Sequence, residues 1–270
     1  MKYKTMPNGI QIPAIGLGTW EIGGGRVPDY SQDAQLVKRL SEIINMGYTH
    51  IDTAEMYASG HTEELIGRAI HDFERNDLFI TTKVWRTNLG YNAVHKALTS
   101  SLERLQTDYV DLYLIHWPDQ ATPLSETFRA LNELVSDGRV RCVGVSNFNV
   151  ALLEEAIQLC QTPLATNQVR YNLNHREHVT NGVLDFCQRH EILLTAYSPL
   201  KDGVLHNDVV REMARKYNAT SGQIGLAWLV QQPHVITIPK STNMKHLQDN
   251  LDSLSLNLDE SDMEMLNKLS

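Results

Sequence analysis

Apolar residues along this chain fall into two rhythms that take turns. Short runs rich in Val, Ile, Leu, Tyr and Thr, bounded by Gly, Pro or Asp, have the make-up of buried strands. Between them lie longer stretches in which apolar residues return every three or four positions, as on one face of a helix. The first such stretch places Leu36, Val37, Leu40, Ile43 and Ile44 on one face and stops at Gly47. The chain opens differently: Pro7-Asn8-Gly9 separates Tyr3-Lys4-Thr5-Met6 from Ile10-Gln11-Ile12-Pro13, and an Asn-Gly step between β-like runs predicts a hairpin.

After the hairpin, strands are predicted at 15–18, 50–52, 79–84 and 110–116, with helices over 36–44, 63–70, 93–105 and 125–136. The second half repeats the rhythm, with strands at 140–146, 165–168, 193–197 and 235–239 and helices over 151–159, 182–190, 209–217 and 244–251. Additional helices are expected at 221–231 and 261–269. Eight strand–helix alternations without a dividing linker predict an α/β fold, a closed (β/α)8 TIM barrel, as one domain over 1–270. Gly23-Gly24-Gly25 follows Trp20-Glu21-Ile22 outside any βαβ frame, so it reads as a flexible loop and not as a dinucleotide fingerprint.

Composition narrows the class. A hydrophobic fraction of 42% with 21% charged residues belongs to a globular chain with a sizeable core. No apolar run is long enough to cross a bilayer, and Met1-Lys2-Tyr3-Lys4 lacks the apolar stretch of a secretory signal, so a cytoplasmic protein without membrane partners is expected. The net charge of −8 with scattered lysines and arginines argues against a nucleic-acid surface. Three cysteines, Cys142, Cys160 and Cys187, have no CxxC spacing and read as reduced thiols. A monomer is expected.

Four side chains carry candidate chemistry. Asp52 ends one predicted strand and Tyr57 follows one short loop later; Lys83 and His116 stand at the ends of two more. In a parallel barrel the carboxyl ends of the strands share one face, so these groups can converge although they are distant in sequence. Taken singly, a Lys or His at a strand end is more often a solvated loop residue and an Asp before Thr a cap. Together they form a proton-transfer set. A lysine ammonium at about 4 Å would favour a phenolate by roughly 4 kcal/mol at an effective dielectric of 20, less what a paired carboxylate offsets. Tyr57 is therefore expected to titrate about one or two below the ordinary phenol value of ~10.

Eight fragments, in order, resemble the aldo-keto reductases: Gly16-Leu17-Gly18-Thr19-Trp20, Asp52-Thr53-Ala54-Glu55-Met56-Tyr57, Lys83, Leu114-Ile115-His116-Trp117, Gly144-Val145-Ser146-Asn147-Phe148, Asn167-Gln168, Ala196-Tyr197-Ser198-Pro199-Leu200 and Ile238-Pro239-Lys240-Ser241. The resemblance implies Tyr57 as general acid, Lys83 and Asp52 as its tuning pair and His116 as the group that orients the carbonyl oxygen. It also implies a nicotinamide cofactor. Ser146, Asn147 and Gln168 would bind the carboxamide, Tyr197 would stack beneath the ring, and Ser198, Pro199 and Leu200 would line the pyrophosphate. Gly18, Thr19, Trp20, Ile238 and Pro239 would complete the groove, with Lys240, Ser241 and Thr242 near the 2′-phosphate and Asp249 and Asn250 near adenine. Where many members of the family have an arginine, this chain has His246, which lacks the bidentate fork; NADPH is expected, with NADH possible.

The implied substrate is a small-molecule carbonyl compound. Trp20, Met56, Trp85, Trp117 and Phe148, with Tyr57 and His116, would rim its pocket, and the family's long C-terminal loop has no counterpart after the last predicted helix. Reduction of small aldehydes and dicarbonyls such as methylglyoxal is expected. The short stretch Lys201-Asp202-Gly203 predicts a cofactor clasp that encloses less than in longer members. An NADPH-binding regulatory or sensor barrel is the alternative, though no docking extension is evident. A metal-dependent hydrolase would want paired histidines near the first strand, which the chain lacks, so no metal site is expected.

Overall fold

The computed structural model describes residues 1–269. Strands β1 (Tyr3–Thr5) and β2 (Gln11–Pro13) form the opening hairpin, paired antiparallel with Tyr3 opposite Pro13. The barrel proper begins with β3 (Leu17–Gly18), α1 (Asp33–Asn45), β4 (His50–Asp52), α2 (His61–Ile70), β5 (Phe79–Val84), α3 (Tyr91–Leu105), β6 (Val110–Ile115) and α4 (Leu124–Ser136). It continues through β7 (Val140–Ser146), α5 (Val150–Leu159), β8 (Thr166–Arg170), α6 (Glu177–Thr180), α7 (Val183–Arg189), β9 (Leu193–Tyr197), α8 (Asp208–Lys216), α9 (Ser221–Gln231), β10 (Val235–Thr237), α10 (Met244–Asp252) and α11 (Glu260–Leu266).

Strands β3 to β10 form one parallel sheet in sequence order. Its two edges meet: Ile15 bridges Thr237, Gly16 N–H donates to Thr237 O at 2.9 Å, and Gly18 N–H reaches Pro239 O at 3.2 Å. Every residue of β5 and β6 is buried, because one face points into the barrel and the other under the helices. The interior is filled by Phe79, Leu112, Leu114, Cys142, Ala165, Leu193 and Ile236, and the hairpin seats Met6 and Ile12 on the same cluster as a floor. A larger apolar layer lies between sheet and helices, around Ile80, Tyr113, Phe128 and Val143. With the floor plugged, the end of the barrel left to build a site is the carboxyl end.

The predicted rhythm is present with local differences. Strand β10 stops at Thr237, two residues earlier than expected, since Pro239 has no N–H for a ladder. Helix α6 has four residues and is cut off from α7 by Gly182 at φ 82°; a piece that short has no periodicity to read. The glycine stretch is packed where a loose loop was expected: Gly24 bridges Pro28, and a Cβ on Gly23 would stand 2.5 Å from Leu65 Cδ1. All three cysteines are unpaired, and burial pushes the Cys142 and Cys187 thiols up to about 11 and about 12. Among the described residues no helix is long and apolar enough to cross a membrane.

Candidate active site

Register brings the four candidate groups together. Asp52 ends β4 opposite Thr81 of β5, so Lys83, two residues further along and on the same inward face, extends past it. Lys83 Nζ donates to Asp52 Oδ1 at 2.6 Å and to Thr53 O at 2.8 Å, and lies 3.4 Å from the Tyr57 hydroxyl. The other Asp52 oxygen accepts from Gln168 Nε2 at 2.7 Å. Tyr57 is held by a strained turn in which Ala58 and Ser59 both have left-handed backbones, φ 48° and 54°. Ala58 N–H bonds Gly25 O at 2.7 Å and Ser59 Oγ bonds Arg26 O at 2.9 Å, so the loop after β3 fastens that turn.

Burial dominates the electrostatics. It raises the Tyr57 pKa above the ordinary phenol value; Lys83 opposes this, but Asp52 offsets part of the lysine's field. The fall expected from sequence is therefore reversed. Burial alone would lower Lys83, yet the Asp52 carboxylate and Tyr57 together carry it above its usual value, so the ammonium stays charged. His116 is pushed down to about 2, first by burial and then by Lys83, and is neutral at any working pH. Its Nδ1 is buried without a partner. An orphaned acceptor is tolerated better than an orphaned N–H, so the proton belongs on Nε2, as a donor. Aromatic edges close round these groups: the Trp20 ring stands 5.1 Å from Tyr57, and the Trp85 ring 5.1 Å from His116.

A cavity of about 1120 Å³ runs over this centre and along the carboxyl ends of the strands. Its wall includes Gly18, Thr19, Trp20, Met56, Trp85 and Trp117 near Tyr57 and His116, and Ser146, Asn147, Gln168 and Tyr197 beside them. Further on come Ser198, Pro199, Leu200, Ile238, Pro239, Lys240, Ser241, His246, Asp249 and Asn250. Polar groups in the middle are already cross-linked: Ser146 Oγ donates to Gln168 O at 2.7 Å, Asn147 Nδ2 to Ser146 Oγ at 2.9 Å, and the Tyr197 hydroxyl to Asn147 Oδ1 at 3.0 Å.

Two expected residues lie elsewhere. Phe148 is 1% exposed and belongs to the core, because Asn147 at φ 64° turns the chain and sends the next side chain away from the cavity. Thr242 is exposed on the loop before α10 and does not line the wall. Also on the wall, and not expected there from sequence, are Glu21, Arg26, Arg86, Lys201 and Leu205, and the cluster Thr220, Ser221 and Gly222 where α9 begins. Only the last had a signal: Thr220 and Gln223 form a capping box, legible as Thr-x-x-Gln.

The cavity suits a long, anionic cofactor with a flat ring. It exceeds an ordinary small-ligand pocket. Aromatic and proton-transfer groups line it together with the cations Lys240 and Lys245, and at Gly18, also on the wall, a Cβ would strike Ile238 O at 2.6 Å, so that position must stay without a side chain.

Residues 14–270 match the model of the Aldo/keto reductase family. The Escherichia coli (strain K12) protein methylglyoxal reductase YeaE is 38% identical over 266 residues, spanning 96% of this chain and 91% of its own. A thermostable aldo-keto reductase, Tm1743, solved with the inhibitor epalrestat, superposes with a TM-score of 0.98 at 49% identity over 100% of both chains. An aldo-keto reductase from Klebsiella pneumoniae solved with NADPH gives 0.88 at 37% identity, covering 100% of this chain and 95% of that one.

Proposed function

The chain belongs to the aldo/keto reductase family, and on that premise we propose that it reduces small aldehydes and dicarbonyls of the methylglyoxal type to alcohols with NADPH. NADPH, when bound, supplies a hydride to the carbonyl carbon. Tyr57 gives its phenolic proton to the carbonyl oxygen, and the Lys83 ammonium at 3.4 Å steadies the phenolate left behind until solvent water re-protonates it. His116, neutral and donating from Nε2, holds the carbonyl oxygen toward Tyr57. Ser146, Asn147 and Gln168 offer amide and hydroxyl groups to the nicotinamide carboxamide, and Tyr197 offers a ring for stacking. Lys240 and Ser241 serve the 2′-phosphate; with His246 in place of a guanidinium, NADH is also accepted, less well.

The observation that carries this reading is the buried Asp52–Lys83–Tyr57 chain opening into an aromatic-walled cavity. With its pKa raised by burial, Tyr57 carries its proton at neutral pH, as a proton donor must. Purified protein should oxidise NADPH with methylglyoxal faster than with steroid ketones, and faster than it oxidises NADH. Steroid turnover far above methylglyoxal turnover would sink the substrate assignment; NADPH binding without turnover of any carbonyl would favour a nucleotide-sensing barrel.

A further inference from the structure

We infer that the substrate end of this cavity is built for aldehydes carrying an anionic oxyacid group, a carboxylate or phosphate, received by Arg26 and Arg86; this rests on the carbonyl-reducing reading above. Strand β4, which delivers Tyr57, lies between β3 and β5 in the barrel. Arg26 sits in the loop after β3 and Arg86 in the turn after β5, and both line the cavity. The two arginines therefore stand in the loops on either side of the one that carries Tyr57.

Neither has a carboxylate among the described residues, whereas Arg75, Arg104, Arg141 and Arg170 each hold one. In a chain with 32 acidic and 24 basic residues, a partner for an arginine is easily supplied. Both are also positioned. The Arg26 carbonyl accepts from Ser59 in the turn that carries Tyr57, and the Arg86 guanidinium lies 5.8 Å from the Trp85 ring on the substrate wall. Of the carboxylates near Tyr57 on the cavity wall, Asp52 is already paired with Lys83, whereas Glu21 has no such partner among the described residues; Glu21 set against two guanidiniums leaves a surplus positive charge. A guanidinium fork bonds carboxylate and phosphate oxygens with charge assistance, and the local field raises the concentration of an anionic substrate.

The test compares kcat/KM for charged and neutral partners: p-carboxybenzaldehyde with methyl p-formylbenzoate, and phosphorylated glyceraldehyde with glyceraldehyde. In Arg26→Gln/Arg86→Gln the charged-to-neutral ratio should fall about tenfold or more, the size of one charge-assisted contact, mainly through KM. The pair showing the larger fall identifies the preferred anion. The wild-type ratio should also drop with added salt and the variant ratio should not. Should the double variant fail to fold, Arg26→Gln must lower the ratio and Glu21→Gln raise it. Ratios within about twofold of wild type in both pairs overturn the inference while leaving carbonyl reduction intact. A wild-type protein that turns over none of the four aldehydes overturns both.

Discussion

Lys83 is the side chain on which the site's electrostatics turn. It stands on the inward face of β5 after Phe79 and Thr81, is fully buried, and finds its compensation in Asp52 at 2.6 Å. A buried ion pair of this kind contributes little net stability, but removing one partner leaves an uncompensated charge and costs roughly 3–5 kcal/mol. Lys83→Met should therefore lower the melting temperature by about 10 °C and reduce carbonyl turnover more than a hundredfold, since the Tyr57 phenolate also loses its counter-charge. Asp52→Asn in the same background should recover much of the stability and none of the turnover. Thermal unfolding and steady-state rates on the two variants decide it; a Lys83→Met protein as stable as wild type would contradict the pairing. The polarity of these four groups was legible in the sequence. The direction of the Tyr57 shift was not, because it depends on burial beneath Trp20 and beside His116, which only the folded packing supplies.

At the level of elements, what could be read was what repeats. Strands β5 and β6 are buried throughout and β7 at every residue but Arg141, and their runs are mostly apolar, interrupted by Thr81, Thr82 and Lys83, by Asp111 and by Arg141; α1 and α4 bury one stripe each and show the helical spacing. The hairpin was legible from Asn8-Gly9, with Gly9 at φ 84°. Strand β3 shortens to Leu17–Gly18, and the close approaches around it are tertiary facts: a Cβ on Gly16 would meet the His50 ring at 2.4 Å. Single-residue turns escaped the reading for the same reason. The left-handed backbone at Asn147 sends Phe148 into the core, and nothing in the letters Asn-Phe announces it. Arg26 and Arg86 lie in loops, where no period exists and only the cavity wall reveals their place.

For the whole molecule, closing the barrel buries three histidines, of which His61 is paired with Asp33 and Glu64 while His50 and His116 have no carboxylate partner among the described residues. Burial lowers His50 to about 4 and His116 to about 2, and each has an Nδ1 without a partner. In the unfolded chain both take up a proton near the ordinary value of about 6.5, so below that pH the unfolded state binds more protons and stability falls. At pH 5 the two should together cost roughly 4 kcal/mol, and differential scanning calorimetry should show a melting temperature about 10 °C below that at pH 7. A flat profile over that range would contradict the burial of both rings. The same closure leaves one long cavity onto which both Tyr57 and the residues proposed to hold NADPH open, so under the proposed function cofactor binding and chemistry can be separated by one hydroxyl. Tyr57→Phe, assayed for NADPH binding and for methylglyoxal turnover in parallel, tests that claim most directly. Unchanged NADPH affinity with turnover reduced about a hundredfold or more is expected; turnover near wild type would show that Tyr57 is not the proton donor.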